Sequence, residues 1–168
     1  MKKTVLRYGL YGGITICVLF LLAWFMGNGL SYSLQEVIGY ISMVVSLSFV
    51  FFGIKHFRDR ENNGRVSFSK ALAIGVLISL ITALVFGVLD VIYVEYLNPE
   101  FMDDYYDRSI AQLRTTLPAN EYEAKVAELE AEKELFMNPI FSFLIMGMTV
   151  FVIGFIISLI SSLILQRN

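Results

Sequence analysis

Apolar and polar positions in this chain fall into long blocks rather than a short alternation. Four blocks carry no charged residue: Tyr8 to Met26, Val37 to Ile54, Ala71 to Leu89 and Ile140 to Leu165. A bilayer core of ~30 Å is crossed by roughly 20 residues of helix rising 1.5 Å each. All four blocks meet that length, the third span running on to about residue 94. A long helix of a soluble domain keeps a polar face, and these blocks have none. The fourth is long enough to tilt or to extend past the hydrocarbon. One sizeable polar block remains, 98–138, and its pattern is helical. Phe101, Tyr105, Tyr106, Ile110, Leu113 and Leu117 form one stripe, and Tyr122, Val126, Leu129 and Phe136 a second. Pro118 stops the first helix. Asn98-Pro99 and Asn120 are expected to cap the two helices, and Asn138-Pro139 to open the fourth span. Glu121 and Lys125 are expected to pair across one turn.

Charge gives the blocks a direction. Lys2, Lys3 and Arg7 precede span one, Lys55, Arg58, Arg60, Arg65 and Lys70 lie between spans two and three, and Arg167 follows span four. Those are nine of the thirteen Lys and Arg, set against Asp59 and Glu61 alone. Basic residues collect on the cytoplasmic side of short loops. The connection after span one has no base, and 98–138 carries ten acids against four bases. Four spans with both termini cytoplasmic satisfy every loop together. The expected fold is therefore all-α: one integral membrane domain over 1–168, a four-helix bundle with an extracytoplasmic helical hairpin at 98–138 between spans three and four. The basic loop faces the anionic inner leaflet, where each Lys or Arg contributes about 1 kcal/mol. Within it, Asn63-Gly64 predicts a turn through positive φ, and Ser67 or Ser69 is expected to cap the third span. The first block is longer than the ~7–15-residue core of a signal peptide and lacks a small-residue cleavage pattern after it, so an uncleaved span is expected.

Composition agrees with the blocks. Hydrophobic residues make up 57% and charged residues 17%, beyond the ~45–50% apolar content of soluble domains. One cysteine, Cys17, excludes an internal disulfide or thiolate cluster, and one histidine, His56, excludes a multi-histidine metal site within the chain. No cofactor is expected. Tyr8, Tyr11, Trp24, Tyr32, Tyr40 and Tyr93 sit near block ends, as an interfacial aromatic belt would.

Small residues mark packing surfaces, because lipid tails supply no hydrophobic drive for helix association and close approach must replace it. Ala71, Gly75, Ser79, Ala83 and Gly87 recur at every fourth residue of span three. Gly154, Ser158 and Ser162 repeat the spacing in span four, and Gly9 and Gly13 do so once in span one. Packing inside one bundle and self-association both fit these ridges.

Candidate chemistry is sparse. Asp90 is an ionisable group at a span end, close to the small-residue ridge, and a functional candidate for that reason. Twenty residues beyond Lys70, roughly 30 Å of helix, it is expected near the outer boundary, within reach of water. Glu95 lies one turn further and Glu36 opens span two on the same side. The three could line an outward vestibule attractive to cations, or stand as interfacial acids bonded to Tyr40, Tyr93 or Tyr96. A substrate pathway needs polar groups at mid-depth, where only Ser, Thr and Cys17 occur. Ser67-Phe68-Ser69-Lys70 has the S-x-x-K spacing of penicillin-recognising enzymes without their accompanying motifs. No phosphate-binding loop, dinucleotide glycine motif or HExxH is present. The basic loop lacks interleaved reading elements, so nucleic acid is not an expected partner.

The stretch "EVIGYISMVVSLSFVFFGIKHFRDRENNGRVSFSKALAIGVLISLI", with "RYGLYGG" near the start, resembles the family of domain of unknown function 4199. The likeness covers nearly the whole chain and is strongest from Glu36 to Ile81. It implies a small four-span protein of the inner membrane of a Gram-negative bacterium, and it brings no catalytic residues. The resulting expectation is a non-enzymatic inner-membrane protein acting as an interaction or accessory subunit. Its partners would be the bilayer and either another protein or its own copy, engaged through the hairpin or the ridges. The competing expectation is a small transporter or channel component using Asp90, Glu95 and Glu36.

Overall fold

The computed structural model describes residues 1–27 and 29–167, and leaves the side chains of Tyr32 and Ala119 outside its description. Tyr32, counted above with the aromatic belt, therefore lies outside the described side chains. Among the described residues the chain forms six α-helices and no strand. They are α1 (Lys2–Met26), α2 (Tyr32–His56), α3 (Phe68–Ile92), α4 (Phe101–Thr116), α5 (Ala119–Phe136) and α6 (Pro139–Leu165). A π-helical turn follows α2 at Phe57–Glu61 and another follows α3 at Tyr93–Leu97. Four helical segments are long and apolar enough to cross a membrane: Lys2–Met26, Ser33–Glu61, Phe68–Leu97 and Pro139–Leu165, with mean hydropathies of 2.0, 2.2, 2.7 and 2.7. This is an all-α, membrane-type helical bundle. Helices α1, α2 and α3 overrun their charge-free blocks because a charged residue at a helix end keeps its head in water while the backbone stays helical.

The chain divides into two compact units. The first comprises Met1–Phe86 and Gly147–Asn168, so it holds α1, α2, most of α3 and the later part of α6. Its core is Ile16, Leu47, Val50, Ile54, Ile74, Ile78 and Val150, each almost fully buried. Leu6, Ile14, Val18, Val44, Leu80, Leu84, Ile160 and Ile164 point outward. A soluble domain would not leave so many large apolar side chains uncovered, whereas lipid covers them without cost. Glycines let the helices approach. A Cβ on Gly9 or Gly13 would run into Ile81 or Val85, and one on Gly12 would lie 3.2 Å from the Ser46 carbonyl. A Cβ on Gly75 would meet Ser158, and one on Gly154 would meet Ser79 at 2.5 Å. The ridges of α3 and α6 thus interlock with each other inside this unit.

The second unit, Gly87–Met146, contains the end of α3, the α4–α5 pair and the start of α6. The expected hairpin is present: α4 stops at Thr116, and Leu117 is extended (φ −107°, ψ 147°) as a residue before proline must be. The half-buried seam of α5 is Tyr122, Val126, Leu129, Lys133 and Phe136, a 4-3-4-3 spacing. Lys133 fills the gap left in the apolar stripe, and its Nζ lies 2.6 Å from Asp103 of α4.

Three local expectations are corrected. Asn98 does not cap α4; Glu100 holds that position, and Asn98 Nδ2 instead donates to the hydroxyl of buried Tyr93 at 2.9 Å. A buried phenol needs a partner, and that need outweighs a cap that water can replace. Asn120 does not cap α5, because Pro118 is already extended and its carbonyl accepts from Glu121 and Tyr122. Lys125 pairs with Glu128 one turn on, at 2.6 Å. Two further local signals hold. Asn138 Oδ1 accepts from the amides of Ile140 and Phe141 and so caps α6, and Asn63 (φ 52°) and Gly64 (φ 77°) occupy the left-handed region. Ser67 directly precedes α3, while Ser69 lies inside it.

Candidate functional site

Asp90 is the most enclosed acid of the chain, at 6% exposure. It sits in the last turns of α3, and its Oδ2 accepts a 2.6 Å hydrogen bond from the Ser142 hydroxyl of α6. Gly87, one turn earlier, admits the ring of Phe143: a Cβ there would lie 2.8 Å from it. The ridge therefore brings α6 close enough for Ser142 to reach the carboxyl group. Water or a neighbouring tyrosine was the expected company of Asp90; its hydrogen-bond partner here is Ser142. Glu95 lies five residues on, exposed in the π-helical turn. It lines a cleft of about 180 Å³ with Val94, Met102, Asp103, Phe136 and Met137, and Asp90 does not line it. Glu36 is exposed on α2 and belongs to the other unit. Among the described residues no three His, Cys, Asp or Glu side chains form a metal-binding group.

Polar groups inside the spans are satisfied locally. Ser46, Ser79, Thr82, Ser158 and Ser162 each donate to the carbonyl four residues back in their own helix. This back-bonding removes the cost of burying a hydroxyl in hydrocarbon. Ser79 and Ser158 also face each other at 3.3 Å. No buried side-chain polar atom among the described residues lacks a partner.

The basic segment between α2 and α3 is folded rather than loose. Arg58 is buried at 8% exposure; its Nε meets Asp59 at 2.6 Å, and Nη1 donates to the Leu165 carbonyl at the end of α6 at 3.3 Å. A guanidinium on a terminal carbonyl compensates the negative end of that helix. Val66 and Arg167 exchange both backbone hydrogen bonds, at 2.9 and 2.8 Å, in an isolated antiparallel bridge. Asn62 donates to the Arg65 carbonyl at 2.6 Å. Glu61 receives the amino group of Met1 at 2.6 Å and the hydroxyl of buried Thr4. Arg7 Nη2 lies 2.7 Å from His56 Nε2. Lys70 rests over the Phe57 ring at 5.2 Å, a cation–π contact. Lys55, Arg60, Arg65 and Arg167 are exposed.

The hairpin carries the polar surface of the second unit. Tyr106 is its one buried aromatic among the described residues of α4 and α5, and burial pushes its phenol above the usual tyrosine range. The hydrogen bond to Asp103 raises the Lys133 ammonium, and the bond to Glu128 raises that of Lys125. At the hairpin tip Leu113, Leu117 and Ala124 line an open groove edged by Glu121, Lys125 and Glu128.

Ser142, Gly12, Thr82 and Lys133 were not singled out by sequence. Ser142 had a local clue, since it stands one turn after the Asn138-Pro139 helix start. Lys133 had another, since it completes the seam spacing of α5.

The family model described as "Protein of unknown function (DUF4199)" matches residues 7–167. No curated protein and no solved structure matches the chain.

Proposed function

The chain belongs to that family, and from this premise we propose that it is a non-enzymatic, multi-pass protein of a bacterial inner membrane that serves as an interaction or accessory subunit. Both termini and the basic loop are cytoplasmic, and the α4–α5 hairpin is the surface offered on the other side. The assignment of sides follows from the nine bases gathered at one set of loops. The observation that carries the functional reading is the hairpin itself: a two-helix polar element, with Asp104, Asp107, Glu123, Glu128 and Glu130 exposed, interrupting four apolar helices. A span-joining turn needs only a few residues, so a 36-residue excursion from Phe101 to Phe136 serves a surface rather than a connection. The polar groups within the spans support this reading over transport, because they are bonded to their own helices and Asp90 is held by Ser142.

Crosslinking in intact membranes, followed by mass spectrometry of what co-purifies, tests the proposal. The expected result is a distinct partner joined through Lys125 or Lys133. Crosslinks confined to copies of this chain would overturn the accessory role.

A further inference from the structure

We propose that the basic end of the first unit binds the phosphate of an anionic phospholipid headgroup, with Lys55, Arg65 and Arg167 as its contact residues. A topology signal needs only net charge near a span. It does not need order, and this segment is ordered at four points: the left-handed turn at Asn63 and Gly64, the Asn62 bond to the Arg65 carbonyl, the Val66–Arg167 bridge, and the Arg58 bond to the Leu165 carbonyl. These ties set Arg65 beside the chain segment bearing Arg167 and hold both at the end of α6. The neighbouring acids are already engaged. Asp59 is held by Arg58, and Glu61 by Met1 and Thr4. Asp59 also lies within the electrostatic reach of Lys55 and Arg167, which places those two cations on the same patch. The three contact residues have no ion-pair partner among the described residues, and all are exposed.

An array of exposed cations with its local acids spent matches a phosphate, which arginine engages through paired N–H donors. The adjoining surface selects the lipid over free phosphate. Leu163 and Ile164 are 59% and 65% exposed just before Arg167, and Phe52 is 50% exposed just before Lys55. Acyl chains cover such side chains while the headgroup lies against the cations beyond them. The inference rests on the membrane-embedded reading, and is independent of the accessory role and of which side the array faces.

The test uses the full chain in detergent, with native mass spectrometry to count bound phosphatidylglycerol against phosphatidylcholine. The unaltered protein is expected to retain phosphatidylglycerol preferentially. The combined substitution Lys55→Gln, Arg65→Gln and Arg167→Gln should lower that preference at least tenfold, since loss of one charge-assisted hydrogen bond costs about 1.5 kcal/mol. Arg108→Gln, Arg114→Gln and Lys125→Gln together remove the same charge from the hairpin and should leave it intact. Equal losses in the two variants would mean attraction by net charge alone and would overturn the site. Equal retention of both lipids by the unaltered protein would overturn it without any variant. Displacement of the lipid by millimolar inorganic phosphate would assign the array to free phosphate instead and would equally overturn it.

Discussion

Gly154 and Ser79 touch across α3 and α6, and their two roles differ in energy. A methyl at Gly154 would sit 2.5 Å from the Ser79 side chain and 3.1 Å from Leu47, inside a buried seam. Overpacking of this kind costs ~1–3 kcal/mol. The Ser79 hydroxyl instead donates to its own helix at Gly75 and faces Ser158, and hydrogen bonds within membranes average only ~0.6 kcal/mol. Gly154→Ala should therefore destabilise the protein more than Ser79→Ala, by ~1–3 against ~0.6 kcal/mol. Unfolding of the detergent-solubilised protein by dodecyl sulfate, followed by circular dichroism, reads the difference. A larger loss for Ser79→Ala would mean that polar contacts, rather than close approach, hold these helices.

At the scale of elements, the hairpin is held by an apolar seam and by an ionic clasp between α4 and α5. Lys133 is bonded to Asp103, with Asp107 further off at 4.0 Å. Its ammonium is raised by the Asp103 bond, and the Tyr106 phenol is raised by burial. In both cases the folded state holds the proton more tightly than the unfolded state. Their contribution to stability is complete below the ordinary values of 10.5 and 10.0 and disappears as pH rises through the higher folded values. The pair α4–α5 should thus stay closed at neutral pH and open in strong alkali. Spin labels on Gln112→Cys and Ala127→Cys, in a Cys17→Ser background, should report a narrow separation that broadens above the lysine range. Lys133→Leu continues the seam with an apolar residue and should shrink that alkaline transition while leaving the neutral separation unchanged. An unchanged transition would place the weakness elsewhere in the hairpin.

For the whole molecule the question is which side each end faces. A topology with both termini and the basic loop together puts Ser69 and Asn120 on opposite sides of the membrane. In the Cys17→Ser background, Asn120→Cys should react with an impermeant maleimide on intact cells from which the outer membrane has been stripped. Ser69→Cys should react only after lysis. The reverse pattern would invert the proposed orientation and leave the fold unaffected.

Much of the architecture was legible in the order of residues, because a span needs only length and uniform apolarity, and both are local properties. The hairpin was equally plain, since Pro118 and two helical stripes lie in one continuous polar stretch. Caps were less so. Asn98 and Asn138 each precede a proline, yet only Asn138 caps its helix; the other is drawn to Tyr93. The sequence by itself thus determined four apolar helices, a charge bias from end to end, and ridges able to support close packing. Only the tertiary structure decided that those ridges interlock between α3 and α6, that Ser142 meets Asp90, and that Arg58 reaches Leu165 from 107 residues away. Such pairings join helices distant in sequence, and no local period encodes which side chain will lie opposite which. They are settled by how closely glycine and serine let two backbones approach.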